Sequence, residues 1–463
     1  MDTAVYRARR DHVAAALRAA GGGVAVLATA PERPRNGDND HPYRHDSGFY
    51  YLTGFDEPGA WLLLDADGRS LMLCRPKDPE REVWDGLRLG PEAAPSVLGV
   101  DEAQPLARLD ELLPQRLADQ PAVWFPFAAE GLAARVAGWL DAVRARARQG
   151  VGAPAQQRDL GVLLDEMRLL KDEHELALMR RAGELGAAAH ARAMQACRPG
   201  LHEHELEAEL LYAFRRGGAA GPAYVPIVAS GRNACVLHHQ AGAAALGLQG
   251  GSAVLKAGEL CLIDAGCELG SYASDITRTF PVDGRYTPAQ RTLYELVLAA
   301  QEAAIAETRP GARKMDGHWA AVRVLSAGLL DLGLLDRGVH GGVDDVIAAA
   351  AYRRFFMHGT GHWLGLDVHD AGEYLALDEP PEDQPDGQGG RCTRRPSRRL
   401  QPGMVLTVEP GLYVRAAPDV DPRWWDIGIR IEDDALVTPT GCELLSRGVP
   451  VAPDEIERLM RGG

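Results

Sequence analysis

The sequence of 463 residues is poor in cysteine, and the arrangement of its cysteines excludes two common structural uses. The seven cysteines are Cys74, Cys197, Cys235, Cys261, Cys267, Cys392 and Cys442. They are odd in number, scattered along the chain and never closely spaced, which fits neither a disulfide framework nor a zinc ribbon. We therefore expect a reducing, cytoplasmic setting.

Basic residues are also fewer than acidic residues. The chain has 50 Lys and Arg residues against 65 Asp and Glu residues, a formal net charge of −15. No global field therefore favours nucleic acid or an anionic membrane surface. Metal cations are easier partners, and the arginine-rich stretch "RCTRRPSRR" is expected to be a solvated loop.

Long hydrophobic runs are absent as well. The N-terminal stretch "MDTAVYRARRDHVAAALRAA" has its charges inside an amphipathic pattern, so we expect neither a signal peptide nor a membrane span. The chain is nevertheless 46% hydrophobic, which is ordinary for a globular protein with enough apolar material for more than one core.

Helical and strand-like patterns predict two domains. In residues 1–165, a helix around Ala4 to Ala20 precedes the strand-like stretches "GGVAVLA", "FYYLTGF", "GAWLLLDADG" and "SLMLC", which indicates a small α/β domain. A long helical pattern from Leu163 to about Cys197 then opens residues 166–463, where mixed helices and strand pairs indicate an α+β domain.

Two segments read as insertions. The first is the Gly- and Ala-rich stretch from Gln240 to Gly251, and the second runs from Asp378 to Arg399. The second is rich in Pro, Gly and charge and has no apolar period, so we expect a mobile surface loop.

The stretch "GELCLIDAGCELGSYASDITRTFPV" predicts a hairpin that carries two acids. A turn centred between Leu269 and Gly270 would place Asp264 directly opposite Asp275, with Cβ atoms roughly 5 Å apart. Like charges in that position destabilise one another unless a cation lies between them.

A second hairpin repeats this arrangement. In "GMVLTVEPGLYV" and "DIGIRIEDDALV", strand alternation puts Glu409 on one face with Val405 and Thr407, and puts Arg430 and Glu432 on one face of the return strand. Two acidic pairs on two hairpins make four carboxylates.

The segment "HGTGHWLGLDVHD" adds three histidines, His358, His362 and His369. A His pair at i and i+4 suggests a helical zinc motif, but three glycines in eight residues argue against a helix. We predict an extended strand and tight turn that contributes one imidazole to the four carboxylates. Such an oxygen-rich set suits two divalent ions such as manganese or cobalt, which can share and ionise a water for hydrolysis.

At these motifs the sequence resembles the pita-bread metallopeptidases, and among them the Xaa-Pro aminopeptidases (aminopeptidase P). "VASGRNACVLHH", "LIDAG", "YASDITRTFPV", "HGTGHWLGLDVHD", "PGMVLTVEPGLY" and "GIRIEDD" stand in family order. "HPYRHDSGFYYLTGFDEPGAWLLL" and "EVWDGLRLG" resemble the family's N-terminal domain. The resemblance covers most of the chain and implies a pita-bread catalytic domain.

The resemblance also implies roles for individual residues. The metal ligands would be Asp264, Asp275, His362, Glu409 and Glu432. Asp275 and Glu432 would bridge two ions. The expected ion is Mn²⁺, with Co²⁺ or Zn²⁺ as alternatives. His238, His358 and His369 would line the substrate site, and Arg430 and Tyr413 would support it. His239 lies beside His238 in sequence, and the family order favours His238. Trp84 and Asp38 of the first domain are further candidates, because such residues complete a neighbouring subunit's site in a homodimer or homotetramer.

The implied activity is removal of an N-terminal residue that precedes proline. Glu409 would move the proton to the leaving nitrogen, and His369 or His238 would help to stabilise the oxyanion. Three relatives are alternatives: prolidase, which has the same fold and ligands and cleaves Xaa-Pro dipeptides, methionine aminopeptidase, which shares the ligand set, and creatinase, which shares the architecture. The extra N-terminal domain argues against methionine aminopeptidase, and the complete ligand set argues against creatinase. A non-catalytic pita-bread module that binds peptides is the alternative from another class.

Overall fold

A computed structural model describes residues 3–240 and 252–462 of the chain. It divides into two compact units, with the division between Arg168 and Leu169. This lies three residues beyond the boundary that the sequence predicts. The predicted insertion from Gln240 to Gly251 lies, apart from Gln240 itself, outside the described residues.

The first unit contains α1 to α6 and β1 to β8, and α7 runs across the division. The helices are α1 (Thr3–Ala19), α2 (Ser47–Thr53), α3 (Pro79–Asp85), α4 (Gly90–Leu98), α5 (Leu109–Leu117), α6 (Leu132–Arg144) and α7 (Gly161–Leu169), and the strands are β1 (Val24–Ala28), β2 (Pro34–Asn36), β3 (Asn39–Asp40), β4 (Trp61–Asp65), β5 (Ser70–Cys74), β6 (Glu102–Pro105), β7 (Ala122–Phe125) and β8 (Gln156–Asp159).

A mixed six-stranded sheet organises this unit, in the order β6-β5-β4-β1-β7-β8. β4 pairs antiparallel with β1 and β5, whereas β7 runs parallel to β1 and β8. The four inner strands, β5, β4, β1 and β7, are largely buried apolar runs, as expected for strands whose faces are covered. They pack against Leu113, Val136 and Trp139 of α5 and α6.

One predicted strand of this unit is wrong. The stretch "FYYLTGF" forms most of α2, because Asp46 accepts a hydrogen bond from Phe49 N at the helix start and Gly54 ends it with a φ of 66°. A capping acid before the apolar run and a glycine after it are helix signals that outweigh the β propensity of its aromatic residues.

The second unit contains α8 to α14 and β9 to β21. The helices are α8 (Glu173–Ala196), α9 (Glu203–Arg216), α10 (Pro288–Glu307), α11 (Lys314–Asp331), α12 (Arg337–His340), α13 (Val343–Ala348) and α14 (Pro453–Met460), and the strands are β9 (Gly221–Pro222), β10 (Ile227–Ser230), β11 (Leu260–Asp264), β12 (Cys267–Leu269), β13 (Tyr272–Ala273), β14 (Thr277–Pro281), β15 (Glu382–Pro385), β16 (Arg391–Arg394), β17 (Val405–Val408), β18 (Gly411–Val414), β19 (Ile427–Arg430), β20 (Asp433–Val437) and β21 (Cys442–Leu444).

Short antiparallel sheets and long helices share one core in this unit. The sheets are β10-β11-β14, β13-β12-β9, β17-β20-β21 and β18-β19. Helices α8 to α11 pack on them through residues such as Leu210, Leu293 and Leu325. The predicted α+β class is thereby confirmed.

The long helix predicted from Leu163 to Cys197 is two helices. Asp172 starts α8 with a capping box, in which its side chain accepts from Glu175 N while Glu175 accepts from Asp172 N. That motif satisfies the first amides of a new helix and separates α8 from α7. Lys171, in the break, forms a buried ion pair of 2.8 Å with Asp370.

Part of the second insertion, for which the sequence predicts a mobile surface loop, forms a hairpin. β15 and β16 pair antiparallel from Glu382 to Arg394. Asp386 closes their turn by accepting hydrogen bonds from Gln388 N and Gly390 N. Most of the hairpin is exposed, which explains why it lacks the apolar period on which strand prediction depends.

No helix within the described ranges combines the length and hydropathy needed to cross a membrane.

A buried histidine connects α8 to the hairpin of the predicted metal site. His190 has no solvent exposure, and its Nε2 lies 2.9 Å from the carbonyl oxygen of Ala265, the residue after Asp264. Burial lowers the pKa of His190 to about 4. The imidazole is therefore neutral at pH 7 and donates to Ala265.

We predict that His190 makes the protein sensitive to mild acid. Its pKa is depressed on folding, so the stability it contributes is full above pH 6.5 and is lost as the pH falls towards 4. At pH 5 this loss is about 2 kcal/mol. In His190→Gln the amide can still donate but does not titrate. Between pH 8 and pH 5, the free energy of unfolding measured with urea should therefore fall by about 2 kcal/mol less in this variant than in the parent protein. His340→Gln, on the surface helix α12, is the matched control and should behave as the parent does.

Candidate metal centre and active site

One cavity of about 590 Å³ collects most of the predicted site residues. All of its lining residues belong to the second unit. They are Tyr224, Val225, Ile227, Leu237, His238, Gln240, Asp264, Asp275, His358, Gly359, Gly361, His362, Val368, His369, Glu409, Arg430 and Glu432.

The first acidic pair comes from the predicted hairpin, with one correction to its register. Asp264, at the end of β11, pairs with Thr277 and not with Asp275. The two-residue turn uses Gly270 and Ser271, with φ values of 57° and 72°, and so lies one residue later than predicted. The partner changes by two residues, which preserves the face of the strand. Asp264 and Asp275 therefore still point into the same cavity.

Tyr224 links these two carboxylates and was missed by the sequence analysis. Its hydroxyl oxygen lies 2.5 Å from Asp264 Oδ1 and 2.5 Å from Asp275 Oδ1. Burial, followed by the charges of the two aspartates, raises the pKa of Tyr224 well above its usual value, so the phenol is protonated and can donate. Nothing in the stretch "GPAYVPIVASG" distinguishes this tyrosine from one that packs in a core.

The second acidic pair lies on the predicted second hairpin. β17 pairs with β20 and β18 pairs with β19 in one continuous register. Glu409 and Glu432 fall in the short gap between these two ladders, where Ile431 N donates to Pro410 O. The register on both sides of the gap places Glu409 across from Glu432, as the sequence analysis expects of an acidic pair.

Hydrogen bonds join the two hairpins beneath the cavity. Glu432 N donates to Thr277 O at 3.1 Å, and Thr277 Oγ1 donates to Glu432 Oε2 at 2.6 Å. Arg278, which has no solvent exposure, donates to Glu432 O at 2.6 Å and to Asp433 Oδ1 at 2.8 Å. The acidic pairs are therefore held close together by contacts that do not involve solvent.

The histidine segment supplies the imidazole without forming a helix, as predicted. The predicted extended strand is wrong, because the segment joins β17 by scattered hydrogen bonds and one isolated bridge, between Trp363 and Leu406, and not by a regular ladder. His362 N donates to Thr407 Oγ1, and Thr407 N donates to His362 O. Gly361 permits this approach, because a Cβ there would lie 1.9 Å from Thr407 O.

His362 faces the carboxylates through Nε2. This atom lies 3.5 Å from Asp275 Oδ2 and 3.7 Å from Glu409 Oε1, while Nδ1 lies 2.9 Å from Trp363 O. A bond from Nδ1–H to a backbone carbonyl orients a ring for metal binding through Nε2. Ligand atoms of Asp275, His362 and Glu432 all lie within 4.8 Å of one another, a spacing that suits a shared cation.

Burial and mutual repulsion disfavour the charged forms of the carboxylates. Burial, together with repulsion from the other acids, raises the pKa of Glu409 to about 7 and raises the pKa values of Asp275 and Glu432. Burial opposes the charge of His362, but Asp275 and Glu409 outweigh it and raise the pKa of this imidazole to about 9. The protonated imidazole therefore supplies positive charge beside the carboxylates, as a metal cation would.

Arg430 is the other internal cation of the cavity. Its Nη2 lies 2.5 Å from Asp264 Oδ2, and its Nε donates to Thr277 Oγ1 at 3.1 Å. Asp264 Oδ1 accepts a hydrogen bond from Tyr224, and Asp264 Oδ2 accepts one from Arg430. Each carboxylate oxygen has a second lone pair, so Asp264 can still bind a cation.

Tyr413 lies behind the cavity wall, which agrees with the supporting role that the family resemblance implies. It is 1% exposed and does not line the cavity. Its hydroxyl accepts from Arg430 Nη1 at 2.9 Å and lies 2.9 Å from His358 Nε2. Because β18 pairs with β19 beneath the cavity wall, this side chain supports Arg430 and His358 from behind.

The other predicted histidines divide according to exposure. His358 is buried enough for its pKa to fall to about 3, and burial also lowers the pKa of His369. His238 and His369 are exposed on the cavity wall, and the rings of His369 and His362 lie 4.1 Å apart. His239 is buried and does not line the cavity, which separates it from His238.

Trp84 and Asp38 are exposed residues of the first unit. Trp84 is 83% exposed on α3, and Asp38 lies in the turn between β2 and β3. Neither lines the cavity of the second unit, so their part in a site stays a prediction.

We predict that Arg430→Met destabilises the metal-free protein by about 3 kcal/mol or more, because it leaves the carboxylate of Asp264 without its buried partner. The double variant Asp264→Asn/Arg430→Met should recover most of this loss. Urea unfolding in the presence of a chelator measures both. The matched control, Arg291→Met, removes a surface arginine that pairs with Glu295 and Asp454 and should change stability little. Equal losses in the single and double variants would contradict the coupling.

Comparison with known proteins identifies the same two regions. The family model for metallopeptidase family M24 matches residues 177–439, and the model for the aminopeptidase P N-terminal domain matches residues 6–124. A Xaa-Pro aminopeptidase of Escherichia coli (strain K12) is 43% identical over 447 residues, which cover 95% of this chain and 94% of that relative. One of Haemophilus influenzae is 40% identical over 94% of this chain and 92% of its own length.

Solved structures agree over the whole chain. An aminopeptidase of Pseudomonas aeruginosa matches with a TM-score of 0.90 and 45% identity over 100% of this chain and 98% of that one. Escherichia coli aminopeptidase P with the inhibitor Pro-Leu matches with a TM-score of 0.89 and 41% identity, with the same coverage. The cavity with its four carboxylates and four histidines therefore lies in a catalytic domain of known type, and the chain belongs to metallopeptidase family M24.

Proposed function

We propose that this protein is a metallo-aminopeptidase that hydrolyses the bond between an N-terminal residue and a following proline. The observation that carries the proposal is the single cavity that gathers Asp264, Asp275, His362, Glu409 and Glu432. The names of the Escherichia coli and Haemophilus influenzae relatives, at 43% and 40% identity, support the same activity.

The donor set of the cavity fits two divalent cations. Four carboxylates and one imidazole suit Mn²⁺ first, with Co²⁺ or Zn²⁺ as alternatives. Asp275 and Glu432 would bind both ions, and Asp264, His362 and Glu409 would each bind one. Such a pair of ions supplies a water of lowered pKa as nucleophile and polarises the scissile carbonyl.

Glu409 is the group we assign to proton transfer. Glu409 lines the cavity, where its Oε1 lies 3.7 Å from His362 Nε2. In the reaction it would accept the proton of the attacking water and pass it to the nitrogen of the leaving proline. A carboxylate within reach of both groups can carry the proton from one to the other.

The histidines of the wall suit a substrate bond before proline. His238 and His369 would donate to the oxygen of the scissile carbonyl as negative charge develops there. His358 is neutral, and the nearby hydroxyl of Tyr413 fixes its ring. The nitrogen of a Xaa-Pro bond has no N–H, so the wall needs no acceptor for it, and Ile227, Leu237 and Val368 provide apolar surface for a proline ring.

Cellular setting and assembly belong to the same proposal. The scattered cysteines favour a cytoplasmic enzyme, and the family resemblance favours a homodimer or homotetramer. In such an assembly Trp84, 83% exposed, and Asp38 would complete a neighbouring subunit's site.

We predict that Asp275→Ala and Glu432→Ala abolish metal-dependent turnover and leave the protein folded, because each removes a cation ligand whose charge the metal-free protein already disfavours. Hydrolysis of Xaa-Pro-Yaa peptides, before and after chelation and with each metal restored, measures turnover, and circular dichroism checks folding. Asp283→Ala, in the exposed turn at the far end of β14, is the control and should remain active. Activity that survives complete metal removal would exclude the metallopeptidase mechanism, and lack of any activity with Mn²⁺ would favour a peptide-binding module.

We also predict that a Xaa-Pro-Yaa tripeptide is cleaved with a higher kcat/KM than the matching Xaa-Pro dipeptide. The relatives at 43% and 40% identity are aminopeptidases, and the cavity of about 590 Å³ has room beyond a dipeptide. Steady-state kinetics with matched peptides tests this. A clear preference for the dipeptide would make the protein a prolidase.

A further inference from the structure

Glu203 is a buried carboxylate that collects five hydrogen bonds outside the cavity. It is the first residue of α9 and has no solvent exposure. Oε1 accepts from Ser230 N, Ser230 Oγ and Asn233 Nδ2 at 2.7, 2.9 and 3.0 Å. Oε2 lies 2.9 Å from His239 Nε2 and accepts from Ala253 N at 2.9 Å. A buried carboxylate with this many donors is ionised and holds its partners firmly.

These partners frame the segment that carries His238. Ser230 ends β10, whose Ile227 is paired with Asp264 and lines the cavity. Asn233 lies in the short 3₁₀ turn at residues 231–235, and His239 ends the turn that follows, which His239 N closes on Val236 O. Leu237 and His238, which line the cavity, lie between these fixed points. Glu203 therefore anchors both ends of a short loop of the cavity wall.

As a result, one of the two adjacent histidines is exposed and the other is buried. His238 is exposed in the cavity, whereas His239 is 7% exposed and bound to Glu203. His239 donates to Glu203 through Nε2 whether the imidazole is neutral or charged. Without the hydrogen bond from His239 to Glu203, the loop at residues 236–239 would lose the contact that holds His239 on its core side and His238 on its cavity side.

We propose that Glu203 and His239 are positioning residues that hold His238 in the cavity. The inference rests on the proposed function for its kinetic consequence but not for its structural one. His239→Leu breaks the bond to Glu203, and His239→Gln can still donate one. Misplacing a group that contacts the reacting carbonyl costs about 10- to 100-fold in rate. We therefore expect His239→Leu to lower kcat/KM for a Xaa-Pro-Yaa peptide by about that factor, and His239→Gln to retain most of it.

A double-mutant cycle separates positioning from general damage. In a His238→Ala background, His239→Leu should have little further effect, because it acts only through His238. Glu203→Gln should behave like His239→Leu. Glu209→Gln on the same helix, which removes a partner of Arg192 at the surface, should leave kcat/KM unchanged. Additive losses in the cycle with unchanged Mn²⁺ affinity would overturn the proposal.

The crystal structure of His239→Leu provides a readout that needs no activity. The proposal expects the His238 side chain to leave its place on the cavity wall, and an unmoved His238 would overturn it. If the parent protein fails to cleave any Xaa-Pro peptide, the proposed function fails, and this structure still decides whether Glu203 and His239 position His238. If His239→Leu does not fold, the structure and kinetics of Glu203→Gln serve the same purpose.

Discussion

Repulsion among four carboxylates in one cavity is the constraint on which the second unit depends. Asp264, Asp275, Glu409 and Glu432 cannot all be ionised there without nearby positive charge, because burial and mutual repulsion raise the pKa values of Asp275, Glu409 and Glu432. The protein supplies the cation Arg430, a protonated His362 and neutral donors such as Tyr224 and Thr277. Divalent cations would relieve the remaining repulsion, so the arrangement that costs folding free energy is also the one that would bind metal.

Such a cluster is useful only if it cannot relax by moving apart. The two acidic pairs lie on separate hairpins, and separation of the hairpins would relieve the repulsion. Arg278 opposes this from below, because it binds the backbone of Glu432 and the carboxylate of Asp433 with no solvent exposure. Breaking a buried charged contact of this kind is costly. The metal-free protein therefore keeps its ligands close together, which reduces the reorganisation that cation binding requires.

Much of this site could be predicted because its chemistry is encoded in local patterns. Period-two alternation placed Glu409 and Glu432 on their hairpin, and the glycines excluded a helix around His362. The register of the first hairpin could not be obtained in the same way, because Gly270 fits either central position of a two-residue turn and the structure also places Ser271 at positive φ. The error moved the partner by two residues and so left Asp264 and Asp275 on the correct face. In the first unit, a capping acid and a terminal glycine made a helix of "FYYLTGF", where side-chain propensity alone favours a strand.

The residues that sequence reasoning missed act across the fold and not along the chain. Tyr224 precedes Asp264 by 40 residues and Asp275 by 51, and it joins them only because the chain around β10 and β11 is folded back on itself. The choice between His238 and His239 is decided by Glu203, a residue of α9 whose role depends on where that helix begins. Ligand types are therefore readable from short motifs, whereas the groups that orient those ligands become visible only when helices and hairpins are packed together, and their side chains carry no local pattern that would mark them in advance.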